Sequence, residues 1–118
     1  MSEAAKPLIA VRERLPNRRE HELIDFEHGG FRYIGGIGRF EDGRLAEVFL
    51  NVAKSGTAIE NHARDAAIVA SVALQYGTPV DVIRHAVTRN GDGSASGALG
   101  TLLDLLAEDE AASREPRP

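Results

Sequence analysis

The stretch "FRYIGGIGRFEDGRLAEVFLNVA" (Phe31–Ala53) decides the fold of this chain. Both of its halves are rich in aromatic and branched residues, which favour strands. Between them lies Glu41-Asp42-Gly43, where Gly43 can adopt the positive φ that a tight turn needs. In the second half, side chains alternate between two faces, one of which carries Val48, Leu50 and Val52. The stretch therefore predicts a β-hairpin with one buried face.

A third strand precedes this hairpin. "HELIDFE" (His21–Glu27) has strand-like alternation, and His28-Gly29-Gly30 follows it as a turn. Two adjacent hairpins imply a three-stranded antiparallel meander. The middle strand contains three glycines, which usually mark a bulge or a close backbone approach. We expect a helix to lie there, rather than a ligand or a second chain; the glycines are Gly35, Gly36 and Gly38.

The second half of the chain changes to helical periodicity. Thr57-Ala58-Ile59-Glu60 fits a capping box, and an alanine-rich apolar face follows, from Ile59 to Leu74. Gly77 suits the end of that helix. Thr78 then fits the cap of a second helix with Pro79 as its first residue. Ser96 fits the cap of a third helix, whose apolar face carries Leu99, Leu102, Leu103 and Leu106.

The order of these elements predicts an α+β domain, a three-stranded antiparallel meander followed by three helices packed on one sheet face. We place this domain at residues 11–107. Residues 1–10 and 108–118 have the small, polar and charged composition of flexible tails. The opposite sheet face needs a cover, for which the N-terminal segment, the last helix or a second copy of the chain are candidates.

Composition excludes several classes of function. The chain has 118 residues, a formal net charge of -4 and no cysteine. Its negative charge disfavours binding to DNA or to an anionic membrane. Without cysteine, this chain carries no disulfide, thiolate metal site or thiol chemistry. It has no run of about 18 apolar residues, so no membrane-spanning helix is expected. The cytoplasm is the expected compartment.

The first candidate site lies where the third strand meets the first helix. Lys54, Ser55, Gly56 and Thr57 place a cation and free backbone N–H groups at a helix N-terminus, an arrangement that binds phosphate. The order differs from a P-loop, in which the lysine follows the second glycine. An anion site and an ordinary capped helix start therefore both remain open.

A second candidate is the segment "RERLPNRRE" (Arg12–Glu20), which concentrates arginines whose guanidinium groups suit phosphates and carboxylates. It is either a binding element for a phosphate-bearing or acidic partner or a solvated arm; its arginines are Arg12, Arg14, Arg18 and Arg19. The four histidines are not spaced as metal ligands. Carboxylates and serines form no recognisable catalytic set. We therefore predict no metal, no cofactor and no catalytic residue, although this leaves open whether the chain is an enzyme.

Several blocks together resemble one family. "RERLPNRR", "GIGRFEDGRLAEVFLNVAKSG" and "SVALQYGTPVDVI" are similar to the TSCPD domain. The shared pattern is R-x-R-L-P, then G-x-x-x-D-G-x-x-x-E-x-F, K-x-G and L-Q-Y-G-x-P, spread over residues 11–106. That domain occurs at or near the C-terminus of vitamin-B12-dependent (class II) ribonucleotide reductases and as short stand-alone proteins.

The resemblance implies a connection with deoxynucleotide supply, with one important departure. The Thr-Ser-Cys-Pro-Asp string that names the family is absent, as is any cysteine-rich tail. Ribonucleotide reduction needs a thiyl radical and a redox cysteine pair, neither of which this chain can provide. The implied role is an accessory domain that binds the reductase large subunit, a nucleotide or both. A structural homodimer without a ligand is the alternative.

Overall fold

The computed structural model describes residues 11–17, 20–53 and 58–114. Three strands come first: β1 (His21–His28), β2 (Phe31–Arg39) and β3 (Leu45–Val52). Three helices follow: α1 (Ala58–Gln75), α2 (Val80–Ala86) and α3 (Ala98–Arg114). The strands form one antiparallel sheet in the order β1-β2-β3, so the predicted α+β meander with three helices is confirmed. Residues 108–114, which we assigned to a tail, continue α3.

Both hairpins turn at glycines with positive φ, where a side chain would be strained. Gly29 and Gly30 have φ values of 59° and 83° between β1 and β2. Between β2 and β3, Gly43 has φ 94° and donates its N–H to the Phe40 carbonyl. These turns set the register that pairs Ile37 with Val48. The buried face of the sheet follows from that register.

The hydrophobic core lies between one sheet face and the helices. Alternate residues of β3 point into it, as predicted, and α1 lies close to β3 because its inward residues are alanines. The leucines of α3 complete the core. Its largest fully buried side chains are Ile37, Val48, Leu50, Leu102 and Leu103. Ile59, predicted to face inward, is instead 38% exposed.

The three glycines of β2 have three different neighbours. An added Cβ at Gly35 would come within 2.9 Å of the Leu102 Cδ1, so α3 occupies this approach as predicted. Gly36 faces the opposite side of the sheet, below Phe49. Gly38 lies under the carboxylate of Glu47, next to the register shift between Gly38 and Arg39.

The helix ends confirm one prediction and correct two others. Gly77 ends α1 with φ 99°, and the N–H of Thr78 reaches back to the Ala73 carbonyl. Pro79 is the N-cap of α2 and has extended backbone angles, so it precedes the helix instead of starting it. Ser96 does not cap α3, because its hydroxyl donates to Asn90 Oδ1 in the preceding loop.

An ion cluster fastens the connection between α2 and α3. Asp104 accepts hydrogen bonds from Arg84 (2.8 Å) and from both terminal nitrogens of Arg89 (2.6 and 2.9 Å). The hydrogen bonds from Arg89 are the main reason that the pKa of Asp104 falls to about 2. Because Asp104 is charged at neutral pH, the cluster is intact there.

Candidate functional site

The segment before β1, residues 11–17, docks against the end of α1 and is called the arm below. Glu13 donates its backbone N–H to the Gln75 carbonyl at 2.7 Å, and Arg12 Nε donates to Gln75 Oε1 at 2.6 Å. The amide of Gln75 also donates to the Ala46 carbonyl at 3.1 Å. Gln75 is buried, so one side chain joins the arm, α1 and β3 without contact with bulk solvent.

The arm has a second attachment at the β2–β3 turn. The two oxygens of Glu13 accept hydrogen bonds from one terminal nitrogen of Arg44, at 3.0 and 3.1 Å. Arg44 also donates to Asp42 and lies 4.5 Å from the ring centre of Phe40. Hydrogen bonds from the N–H and the guanidinium of Arg44 lower the pKa of Asp42. Paired charges thus hold the arm at an exposed turn.

A buried carboxylate faces the side of the sheet opposite the helices, next to the arm. Glu47 is 6% exposed and its Oε2 lies 3.0 Å from His21 Nε2. It fits there because Gly38 on the neighbouring strand has no side chain. The ring of His21 in turn meets the edge of Phe49, with centroids 5.4 Å apart. Strand register therefore places an acid, an imidazole and an aromatic ring side by side.

Two concave surfaces flank the arm and share Arg12, Glu47 and Gln75. The first, called the arm cleft, has a volume of about 500 Å³ and is also lined by Arg14 and Glu13. The second, called the edge groove, runs between β3 and α1 and has a volume of about 360 Å³. Its further lining includes Phe49, Leu50, Arg64, Ile68, Ser71 and Val72.

The structure brings together only part of the predicted site. Arg12 and Arg14 both line the arm cleft, and their binding role stays a prediction. Arg18, Arg19 and the four residues Lys54, Ser55, Gly56 and Thr57 lie outside the described residues, so the phosphate site there stays a prediction. Glu13 and Glu47 bring two carboxylates to the same cleft, which gives it mixed charge rather than the excess of cations that a polyphosphate favours.

Sequence reasoning assigned no site role to Gln75, Glu47 or Glu13. A signal was nevertheless present, because Gln75 belongs to the L-Q-Y-G-x-P block and Glu47 to the D-G-x-x-x-E-x-F block. With Arg12 from R-x-R-L-P, three separated blocks meet at the arm. Their spacing in sequence could not predict this, because it depends on the packing of α1 against β3.

Within residues 11–17, 20–53 and 58–114, no three His, Cys, Asp or Glu side chains are grouped closely enough to hold a metal ion. None of the helices in these ranges is long and apolar enough to cross a membrane.

Comparison with known proteins then points to one enzyme class. An 81-residue stretch is 36% identical to the vitamin B12-dependent ribonucleotide reductase of Bradyrhizobium diazoefficiens. A 77-residue stretch is 38% identical to that of Agrobacterium fabrum, and a 72-residue stretch is 36% identical to that of Rhodopirellula baltica. The chain is homologous to a segment of vitamin B12-dependent ribonucleotide reductases.

The segment that matches this chain is a small part of those reductases. The matches cover 69, 65 and 61% of the present chain but only 6, 6 and 7% of the respective reductases. No family model matches the chain, and no solved structure matches it. The similarity therefore concerns one domain-sized segment, about 70–80 residues long, and not a whole reductase.

Proposed function

We propose that this chain is a TSCPD-type accessory domain that associates with the large subunit of a ribonucleotide reductase and serves deoxynucleotide supply. The observation that carries the proposal is the 36% identity over 81 residues to a vitamin B12-dependent reductase. Because the chain has no cysteine, it does not supply the thiols of the radical reaction. Its role is to bind, and the catalytic step belongs to the partner.

The region where the arm meets α1 and β3 is the part of the molecule best suited to this role. Three blocks of the TSCPD-like pattern meet there through Arg12, Glu47 and Gln75. The arm itself is held by a few hydrogen bonds and by an exposed ion pair between Glu13 and Arg44, a type of contact that adds little stability. Such a segment can adjust to a partner at little energetic cost, whereas the sheet below it stays fixed.

A nucleotide is the second ligand in this proposal. The residues proposed to contact its phosphates are Lys54, Ser55, Gly56 and Thr57, with the arginines of residues 12–19 as a further set. Titration calorimetry with nucleoside di- and triphosphates tests this part separately. The absence of heat at millimolar ligand would remove the nucleotide and leave the association with the reductase.

The association is tested by reconstitution with a vitamin B12-dependent reductase, such as that of Bradyrhizobium diazoefficiens. We expect the chain to co-elute with the reductase in size-exclusion chromatography and to change its rate of ribonucleotide reduction in the presence of adenosylcobalamin. Arg12→Glu should weaken both effects, whereas Glu27→Lys, on the far strand, serves as a matched charge-changing control. If the chain at about 10 μM, a concentration at which a weak complex forms, shows no co-elution and no change in the rate, the proposal is refuted.

A structural homo-oligomer is the second candidate, and a separate observation favours it. The sheet face away from the helices exposes apolar side chains from all three strands: Leu23, Ile34 and Phe49. A second copy would bury them. Light scattering distinguishes the two candidates, because a dimer that ignores both reductase and nucleotide supports this one, and a monomer at high concentration rejects it.

A further inference from the structure

The two edges of the sheet differ in how they avoid further strand pairing. The edge strand β1 carries three carboxylates in eight residues, Glu22, Asp25 and Glu27, a charge density that discourages pairing with another strand. The other edge strand, β3, has a single acidic residue, Glu47, which is turned onto the sheet next to His21. A different device must therefore protect β3.

That device is a pair of side chains from α1, and it covers half of the edge. Ser71 Oγ accepts the N–H of Val48 at 2.9 Å and donates to its carbonyl at 3.0 Å. One helical turn later, Gln75 donates to the Ala46 carbonyl. These contacts occupy the N–H and carbonyl of Val48 and the carbonyl of Ala46, and they block strand addition there.

The second half of the edge has no such cover among the described residues. Ala53 donates its N–H to the Arg32 carbonyl in β2. The odd-numbered residues of β3 therefore direct their backbone N–H and carbonyl groups toward β2, and the even-numbered residues direct theirs away from the sheet. Leu50 and Val52 therefore direct their N–H and carbonyl groups out of the sheet. One helical turn before Ser71, α1 has Ala67, which has no polar side chain that could bind these backbone groups.

The edge groove around Leu50 has the lining of a peptide site. Apolar walls come from Phe49 and Ile68, which are 43% and 53% exposed. Two cations stand at its rim. Arg12 uses its Nε on the neutral amide of Gln75, and Arg64 is 3.9 Å from Glu60, beyond hydrogen-bond distance. Neither has a hydrogen-bonded carboxylate among the described residues.

We propose that the edge groove binds an extended segment of a partner polypeptide by strand addition at Leu50 and Val52, with acidic side chains of that segment pairing with Arg64 and Arg12. Main-chain hydrogen bonds to the β3 edge supply affinity, and the alternate side chains of the segment lie against Phe49 and Ile68. Charge complementarity selects an acidic segment over a second copy of this chain, whose own groove would bring a second Arg12 and Arg64. This inference stands apart from the proposed function, since it does not require that the partner be a reductase.

The test uses the full chain and a phage-displayed library of random dodecapeptides. We expect selection to enrich peptides that alternate β-branched or aromatic residues with Asp or Glu. In the complex with an enriched peptide, the Leu50 amide should exchange with deuterium at least tenfold more slowly than in the free protein. The Val48 amide, already bound to Ser71, is the internal control and should change little.

Charge variants complete the test. Arg64→Glu should weaken peptide binding at least tenfold, whereas Arg64→Lys should retain most of it, and Asp65→Asn on the same exposed turn of α1 should have little effect. The proposal is overturned if no peptide is enriched, if the enriched peptides lack acidic residues, or if Leu50 exchange does not slow. A dimer whose Leu50 amide is already protected without peptide would also overturn it, because the occupant would then be a second copy.

Discussion

Substituting alanine at each of two adjacent glycines of β2 should change stability in opposite directions. At Gly35, a Cβ would lie 2.9 Å from Leu102 Cδ1 and 3.3 Å from its Cδ2. Leu102 is fully buried, and in a close-packed core a shift of its side chain must also displace its neighbours. Overpacking of this kind costs about 1–3 kcal/mol, against which alanine in a strand gains about 0.5–1 kcal/mol over glycine. We expect Gly35→Ala to lower the free energy of unfolding by about 1–2 kcal/mol.

Gly36 is the matched control because it lies in the same strand but faces away from α3. Its Cβ would meet Phe49 at 3.4 Å and Leu23 at 3.5 Å, which are ordinary contact distances. We therefore expect Gly36→Ala to raise the free energy of unfolding by about 0.5 kcal/mol. Urea titrations followed by circular dichroism measure the stability of both variants. Equal slopes of the unfolding free energy against urea concentration would show that the unfolded states are comparable.

A double variant identifies the cause. Leu102→Val should cost about 0.5–1.5 kcal/mol by itself, the range for loss of one methylene. In the Gly35→Ala background it removes the clashing carbon, so the two changes should couple favourably by about 1 kcal/mol. If Gly35→Ala were as stable as the wild type, or if the two effects were simply additive, the close approach of α3 to β2 would not be the reason for the glycine.

Three further predictions concern the polar contacts. Asp104→Asn should lower the free energy of unfolding at pH 7 by about 2 kcal/mol and flatten its dependence on pH. The reason is that the pKa of about 2 makes the stabilisation by Asp104 complete above about pH 4 and lost as the pH falls toward 2. Urea titrations from pH 2 to 7 measure this dependence, and the same change of stability with pH in variant and wild type would contradict the prediction. Gln75→Leu removes the side-chain hydrogen bonds to Arg12 and Ala46 but keeps the backbone bond to Glu13, and it should speed trypsin cleavage after Arg14 several-fold under native conditions. A rate equal to the wild type would show that the Gln75 side chain does not hold the arm. Ser71→Ala should speed deuterium exchange at the Val48 amide and destabilise the domain by about 1 kcal/mol, with Ser71→Thr as the variant that retains a hydroxyl.

The sequence predicted the elements of this fold because local signals agreed with the tertiary structure. Gly43 and Gly77 occupy the positive φ positions that turn and helix-end rules require. The predictions failed where a competing contact decided the local geometry. Ser96 is a good helix cap by type, yet its hydroxyl donates to Asn90 in the preceding loop. Ile59 fits the apolar period of α1, but it lies at the start of the helix, beyond the reach of the core.

The candidate site was less predictable, for a physical reason. The arginines Arg12 and Arg14 were found from composition, because charge density is a local property. Gln75 and Glu47 were missed as site residues, because their importance comes from contacts across 63 and 26 residues of sequence. Neither residue type is unusual, and only the alignment of α1 along β3 reveals what each one touches.

Gln75 illustrates why the arm and the sheet edge are linked. Its amide nitrogen donates to the Ala46 carbonyl at the edge of β3, and its amide oxygen accepts from Arg12 in the arm. A glutamate could still accept from Arg12 but has no hydrogen for a carbonyl, and a lysine could serve the carbonyl but would repel the arginine. An amide of this length meets both demands at once. Because the same side chain closes one part of the β3 edge and holds Arg12 in the lining of the edge groove, any partner that displaces the arm also alters the rim of that groove.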